Sequence, residues 1–136
     1  MLRALAGRVV TIERRASLAE KARAALAGQG LGDVKVVVGD GTLGWPEEAP
    51  YDAIVVTAAG PAPPPPLLEQ PAPRGRPVMP VGSRHHDQFL MRYTRPATGD
   101  LREDGDPAPA EDYRSERLTP VRFVPLIGAH GFGPDR

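Results

Sequence analysis

Two carboxylates stand where a ligand is easiest to place. Asp40 lies between Gly39 and Gly41 in the stretch VVVGDG, directly after an apolar run. Glycine on either side lets backbone approach a ligand around one fixed carboxylate, because no Cβ stands in the way. Glu13 closes another β-branched run, RVVTIE. A carboxylate after a strand accepts two hydrogen bonds in a fixed geometry, which suits a pair of ribose hydroxyls. A further run, Ala53 to Thr57, stops at Ala58-Ala59-Gly60. Strand ends that open into small-residue loops are where open α/β sheets bind their ligands. The pattern points to a nucleotide-like cofactor around Val36 to Gly60.

The elements that must position these residues follow from periodicity. Residues 8–13 read as a buried parallel strand. Ser17-Leu18-Ala19-Glu20 has capping-box spacing and predicts a helix that runs to about Gln29. Leu18, Ala22, Ala25 and Leu26 fall on its inward face, and Gly28 and Gly30 end it. Val34 to Val38 is the next strand, so residues 8–38 form a right-handed βαβ crossover. Gly44-Trp45-Pro46 turns the chain towards the strand Ala53 to Thr57.

Nine of the 17 prolines fall between Pro61 and Pro80, so residues 61–80 read as a proline-rich loop segment, with room for a brief helix at Leu67 to Gln70. Val78 to Gly82 reads as a strand that Pro77 and Pro80 weaken or push to a sheet edge. Gln88 to Thr94 alternates as a strand, residues 96–112 read as a flexible insertion rich in Gly, Pro and Asp, and Arg117 to Leu126 supplies the last strand.

Composition narrows the function classes. A chain of 136 residues is one domain's worth, and Lys plus Arg equals Asp plus Glu at 17 each, so no charge excess points to nucleic acid or to a membrane surface. The absence of cysteine excludes disulfides, thiolate metal sites and a cysteine nucleophile, and fits a cytoplasmic setting. The opening MLRALAG is too short for a secretory h-region, and no run approaches the roughly 18 apolar residues of a membrane span.

Several residues admit a plainer role. Asp40 before glycine is also ordinary turn chemistry, Trp45 packs in a turn more readily than it stacks on a base, and Asp52 fixes its loop. His85-His86-Asp87 is not expected to hold a metal, because adjacent histidines point apart and no third ligand is placed. The proline run offers only a weak match to an aromatic groove.

The succession VVTIER, KVVVGDGTLGWPEEAPYDAIVVTAAGP, MPVG and VRFVPLIGAHGF resembles the protein-L-isoaspartate O-methyltransferase family. The block from GDG through APYDAIVVTAA is its most specific part, and the resemblance runs from about Gly7 to Phe132. It implies a Rossmann-like α/β methyltransferase sheet, mostly parallel, with S-adenosyl-L-methionine as cofactor and isoaspartyl-containing proteins as substrate. The implied reaction is methyl transfer to the isoaspartyl carboxylate, whose ester then collapses through a succinimide. By the same resemblance Glu13 holds the ribose hydroxyls, Asp40 accepts from the adenine amino group, and the Gly41 amide faces the ring. Thr57, Ala58 and Ala59 line the passage between methyl donor and substrate. No catalytic base is implied, since a carboxylate with pKa near 4 is already ionised at neutral pH.

The chain departs from the family pattern at its start. Nothing before Arg8 supplies the family's first strand and G-x-G-x-G loop, so the expectation is a single partial domain over residues 1–136 without that element. Pro71 and Pro77 replace residues that the family keeps free of proline. A noncatalytic remnant or interaction module of the same family is the alternative reading.

Overall fold

The structure, a computed structural model, describes residues 6–97 and 113–134. It comprises two compact units, one up to Gly41 and one from Thr42 onward.

The first unit is the βαβ element expected from sequence. Strand β1 (Val10–Glu13), helix α1 (Ala16–Gly28) and strand β2 (Lys35–Val38) follow in order. The strands are parallel, with Val10 opposite Lys35 and Glu13 opposite Val38. The start of α1 differs from the capping-box expectation. Its N-cap is Arg15, with no side-chain cap, so Ser17 already lies inside the first turn and its hydroxyl is misplaced for a box. Glu20 instead pairs with Arg23 one turn on. The inward face is also rotated from the expected one. Ala19 is the fully buried residue, with Ala22 and Leu26 half-buried, while Leu18 is 44% exposed. Ala19, Ala22 and Leu26 still keep helical spacing, and the small alanine lets α1 approach the ladder closely.

Helix α1 ends in a Schellman motif. Leu31 N–H donates to the Leu26 carbonyl at 2.8 Å and Gly30 N–H to the Ala27 carbonyl at 3.2 Å. Gly30 adopts φ +74, the left-handed conformation that this motif requires and that glycine enters without a Cβ penalty.

The second unit is a four-stranded sheet in the order β3 (Tyr51–Val55), β4 (Pro71–Val81), β5 (Gln88–Thr94), β6 (Arg114–Val121). β3 and β4 are parallel, whereas β4–β5 and β5–β6 are antiparallel. Among the described residues two of the four strand pairings are therefore antiparallel, so the α/β class holds with a more mixed sheet than the mostly parallel one expected.

Helix α2 (Pro65–Glu69) packs Leu68 against Met79, Tyr93 and Tyr113, which form the core of this unit, with Val56, Val81, Met91 and Leu126 around it. Tyr113 donates its hydroxyl to the Leu68 carbonyl, and burial pushes the Tyr93 and Tyr113 phenols above their ordinary value.

The proline-rich segment corrects the sequence expectation. Residues 61–80 are not a loop throughout: they contain α2 and most of β4, and β4 is an inner strand rather than an edge. Register explains the tolerance. Val56 N–H donates to the Val78 carbonyl and Gly60 N–H to the Pro80 carbonyl, so positions 78 and 80 turn their polar groups to the β3 side. Pro80 therefore faces that side beyond Val55, the last paired residue of β3. Pro77 faces the β5 side one residue before pairing with β5 begins at Val78. Pro71 opens the strand. Each missing donor falls where no ladder bond is required, which is the condition for proline in a sheet.

The last strand begins three residues earlier than expected and ends at Val121, after which residues 124–127 leave the β5 edge and bridge elsewhere. The expected insertion at 96–112 lies outside the described residues from 98 onward.

Candidate functional site

In the first unit the parallel register brings Glu13, Asp40 and Gly41 to one end of the ladder. Glu13 is opposite Val38, so Gly39, Asp40 and Gly41 leave β2 beside the point where Glu13 closes β1. Gly39 N–H donates to the Glu13 carbonyl at 3.0 Å, which continues the ladder one step and fixes the loop's departure. Glu13 Oε1 accepts from Arg15 N–H at 3.0 Å, orienting its half-buried carboxylate and leaving Oε2 for a further donor. Gly41 begins a short 3-10 turn, Gly41–Leu43.

The two glycines act through space rather than through conformation. Neither has a positive φ, and a Cβ added at Gly39 or Gly41 would meet nothing within 4 Å. Open space over two backbone positions, flanked by two carboxylates at one strand end, fits the adenosine part of a cofactor, which needs a flat approach to backbone and acceptors for ribose and amino hydrogens. A groove of about 420 Å³ in the same unit, lined by Arg23, Leu26 and Val36 among others, holds none of these three residues.

In the second unit the loop from Thr42 to Tyr51 is pinned by two contacts that sequence reasoning missed. Gln70 is buried, donates Nε2–H to the Leu43 carbonyl and accepts from Trp45 N–H at Oε1, both at 3.0 Å. Gly44, at φ +64, sits directly against this amide. Tyr51 donates its hydroxyl to the Trp45 carbonyl, so Trp45 is fixed by its backbone, in keeping with a packing role. Thr42 is fully buried, and its hydroxyl oxygen accepts from His130 N–H at 3.2 Å, tying the carboxyl-terminal segment to this loop.

The predicted passage residues separate into two kinds. Thr57 is exposed and Ala58 half-buried, whereas Ala59 is fully buried. Ala59 donates its N–H to the Val124 carbonyl and accepts from Leu126 N–H, each at 2.8 Å, so it serves as a backbone rail for residues 124–126. Gly60 continues the rail along β4, where an added Cβ would come within 3.3 Å of Met79 Cε.

Gln88 is the second missed residue. It is 2% exposed, accepts from Phe123 N–H at 2.7 Å, and donates to the Ser83 carbonyl at 3.1 Å and the Phe123 carbonyl at 3.3 Å. The signal for both glutamines was an amide at the border of an apolar run, after Leu67-Leu68 and before Phe89-Leu90. His85, His86 and Asp87 form the β4–β5 turn, with His86 Nδ1 3.1 Å from Ser83 Oγ and Asp87 at φ +53.

Comparison with known proteins places this arrangement. Over 91% of this chain and 35% of the other, the fold superposes on a solved protein-L-isoaspartate O-methyltransferase with a TM-score of 0.73 and 26% identity. A beta-aspartate methyltransferase of Plasmodium falciparum, solved in complex with S-adenosyl-L-homocysteine, shares the fold at a TM-score of 0.63 and 19% identity, over 88% of this chain and 52% of that one. The class is thus the Rossmann-like α/β methyltransferase fold. The profile of the Protein-L-isoaspartate(D-aspartate) O-methyltransferase family matches residues 1–131, and the chain belongs to that family.

Relatives agree. Protein-L-isoaspartate O-methyltransferase 1 of Geotalea uraniireducens (strain Rf4) is 51% identical over 124 residues, covering 91% of this chain and 51% of its own length. The enzyme of the same name from Rhodopseudomonas palustris (strain HaA2) is 50% identical over 132 residues, covering 97% of this chain and 49% of its own. The chain spans about half the length of the curated relatives it matches.

Proposed function

We propose that this chain carries the adenosine-facing part of a protein-L-isoaspartate carboxyl methyltransferase that repairs damaged proteins. The observation that supports this most is the β1–β2 register, which sets Glu13 and Asp40-Gly41 side by side at the carboxyl end of a parallel pair. On this reading S-adenosyl-L-methionine supplies an electrophilic methyl group. Glu13 holds the ribose hydroxyls through the oxygen that Arg15 does not occupy. Asp40 accepts from the adenine amino group, and Gly41 offers an amide towards the ring. Thr57 and Ala58 are the open positions for the passage to an isoaspartyl carboxylate, with Ala59 supporting them from behind. That carboxylate is ionised at neutral pH, so positioning supplies the rate and no general base is required. Residues 1–136 together serve one methyltransferase domain.

The setting is read as cytoplasmic, supported by a chain without cysteine. Among the described residues no helix is long and apolar enough to cross a membrane.

The test is calorimetric titration of the 136-residue chain with S-adenosylhomocysteine. The chain should release binding heat, and Glu13→Gln, which keeps an acceptor for Arg15, should weaken binding about tenfold or more by removing a charged acceptor. A flat titration of the unsubstituted chain would overturn the proposal of cofactor binding and leave the noncatalytic reading in its place.

A further inference from the structure

We propose that the outer face of β4, β5 and β6 is a docking surface for acidic polypeptide segments. Strand register puts the relevant side chains on one face. Val78 is opposite Arg92, Arg92 opposite Glu116, and Thr94 opposite Arg114. Arg76 lies two residues from Val78 and so shares its side of the sheet, while Met79, Tyr93 and Tyr113 occupy the core side. Arg74, held at φ +63, joins from the strand's irregular start. Arg74, Arg76, Arg92, Thr94, Arg114 and Glu116 line a groove of about 310 Å³.

Among the described residues the charge there is unbalanced. Four guanidiniums face one carboxylate, a local excess of three positive charges (four minus one), on a chain with 17 basic and 17 acidic residues. Arg92 Nη2 lies 2.5 Å from Glu116 Oε2 and Arg114 Nε lies 3.5 Å from Oε1. Arg74 and Arg76 make no ion pair within 4 Å among the described residues, although Arg76 is near enough to Glu116 to act on its charge. Clustered like charges repel, and a second carboxylate beside Arg74 and Arg76 would relieve that repulsion as Glu116 does for its own pair.

Glu116 shows the ligand chemistry, a carboxylate gripped by guanidiniums. Three neighbouring strands span about 10 Å, and alternate residues of an extended peptide project side chains about 7 Å apart, so two acidic residues of one segment can engage the face together. None of the six lining residues is aromatic, whereas single-stranded nucleic-acid sites rely on aromatic stacking. The groove lies along the sheet before the strand end that carries Thr57. Val55 is opposite Val78, so Thr57, two residues on, lies about 13 Å along the strand from the level of Arg76 and about 7 Å from that of Arg92. The proposal rests on the arginine groove itself and not on the methyl-transfer reading.

The experiment is fluorescence anisotropy of the full 136-residue chain with a labelled hexaglutamate peptide, at low salt and again at about 0.5 M, where the Debye length falls to a few ångströms. Binding should be saturable, lost at high salt, and weakened at least tenfold in Arg74→Ala/Arg76→Ala, both exposed positions whose replacement should leave the circular dichroism spectrum unchanged. Glu116→Gln should tighten it severalfold by removing the internal competitor. Hexaglutamine should not bind. Absence of hexaglutamate binding, equal affinity in the double variant, or tighter binding of a hexathymidylate strand than of hexaglutamate would each overturn the proposal.

Discussion

The Gly44–Gln70 contact permits a quantitative prediction. Gln70 makes two hydrogen bonds to the loop, at 3.0 Å to Leu43 and 3.0 Å to Trp45. At about 1 kcal/mol net for each, Gln70→Ala should cost about 2 kcal/mol. Gly44→Ala adds two separable effects. At φ +64 an alanine incurs about 1 kcal/mol of left-handed strain. Its Cβ would also overlap Oε1 of Gln70 and sit 2.7 Å from Cδ and Nε2, so the amide must leave and both bonds go with it. The single variant Gly44→Ala should then lose about 3 kcal/mol. In the Gln70→Ala background only the strain remains, about 1 kcal/mol, and the coupling between the two sites is about 2 kcal/mol. For a chain of this size 1 kcal/mol corresponds to roughly 3–5 °C in Tm. Urea titrations and thermal melts of the four proteins measure the cycle. If Gly44→Ala costs the same in both backgrounds, the clamp is not what holds the loop.

Two further outcomes follow from buried amides and charges. Gln88→Leu keeps volume but strands Phe123 N–H and the Ser83 carbonyl, and should lower stability by about 2–4 kcal/mol; a loss below about 1 kcal/mol by urea titration would show that water replaces those bonds. The hydrogen bond from Arg92, with Arg114 and Arg76 nearby, holds the Glu116 carboxyl below its ordinary value of 4.5 against the opposing effect of desolvation. A depressed carboxyl stabilises the fold fully above the unfolded value and loses that contribution as pH falls through the folded one. Glu116→Gln should therefore flatten the decline of stability below about pH 4.5, seen as a shallower dependence of the urea midpoint on pH. An unchanged acid limb would show that Glu116 is as solvated as in the unfolded chain.

Local pattern decided the first unit. Alternation of β-branched runs with a helical stretch specified β1, α1 and β2, and a βαβ crossover has essentially one handedness, so parallel pairing and the meeting of Glu13 with Asp40-Gly41 were legible before any coordinates. The motif block that placed the chain in its family is likewise one continuous stretch, residues 39–59. What sequence could not specify depended on residues far apart in the chain. Pro77 and Pro80 read as edge signals because proline lacks a donor, yet whether that donor is missed depends on which neighbour it would face, and the β3 and β5 registers settle that. Ser17 has the right spacing for a cap, but the helix starts at Ala16, after Glu13 has turned its carboxylate to Arg15. Gln70 and Gln88 gain their roles from carbonyls 27 and 35 residues away. The arginine face exists only because three strands bring Arg76, Arg92 and Arg114 to one side. Charge, hydrogen-bond capacity and periodicity are properties of residues and are written in the sequence; which of them meet is set by strand register, and register belongs to the folded sheet.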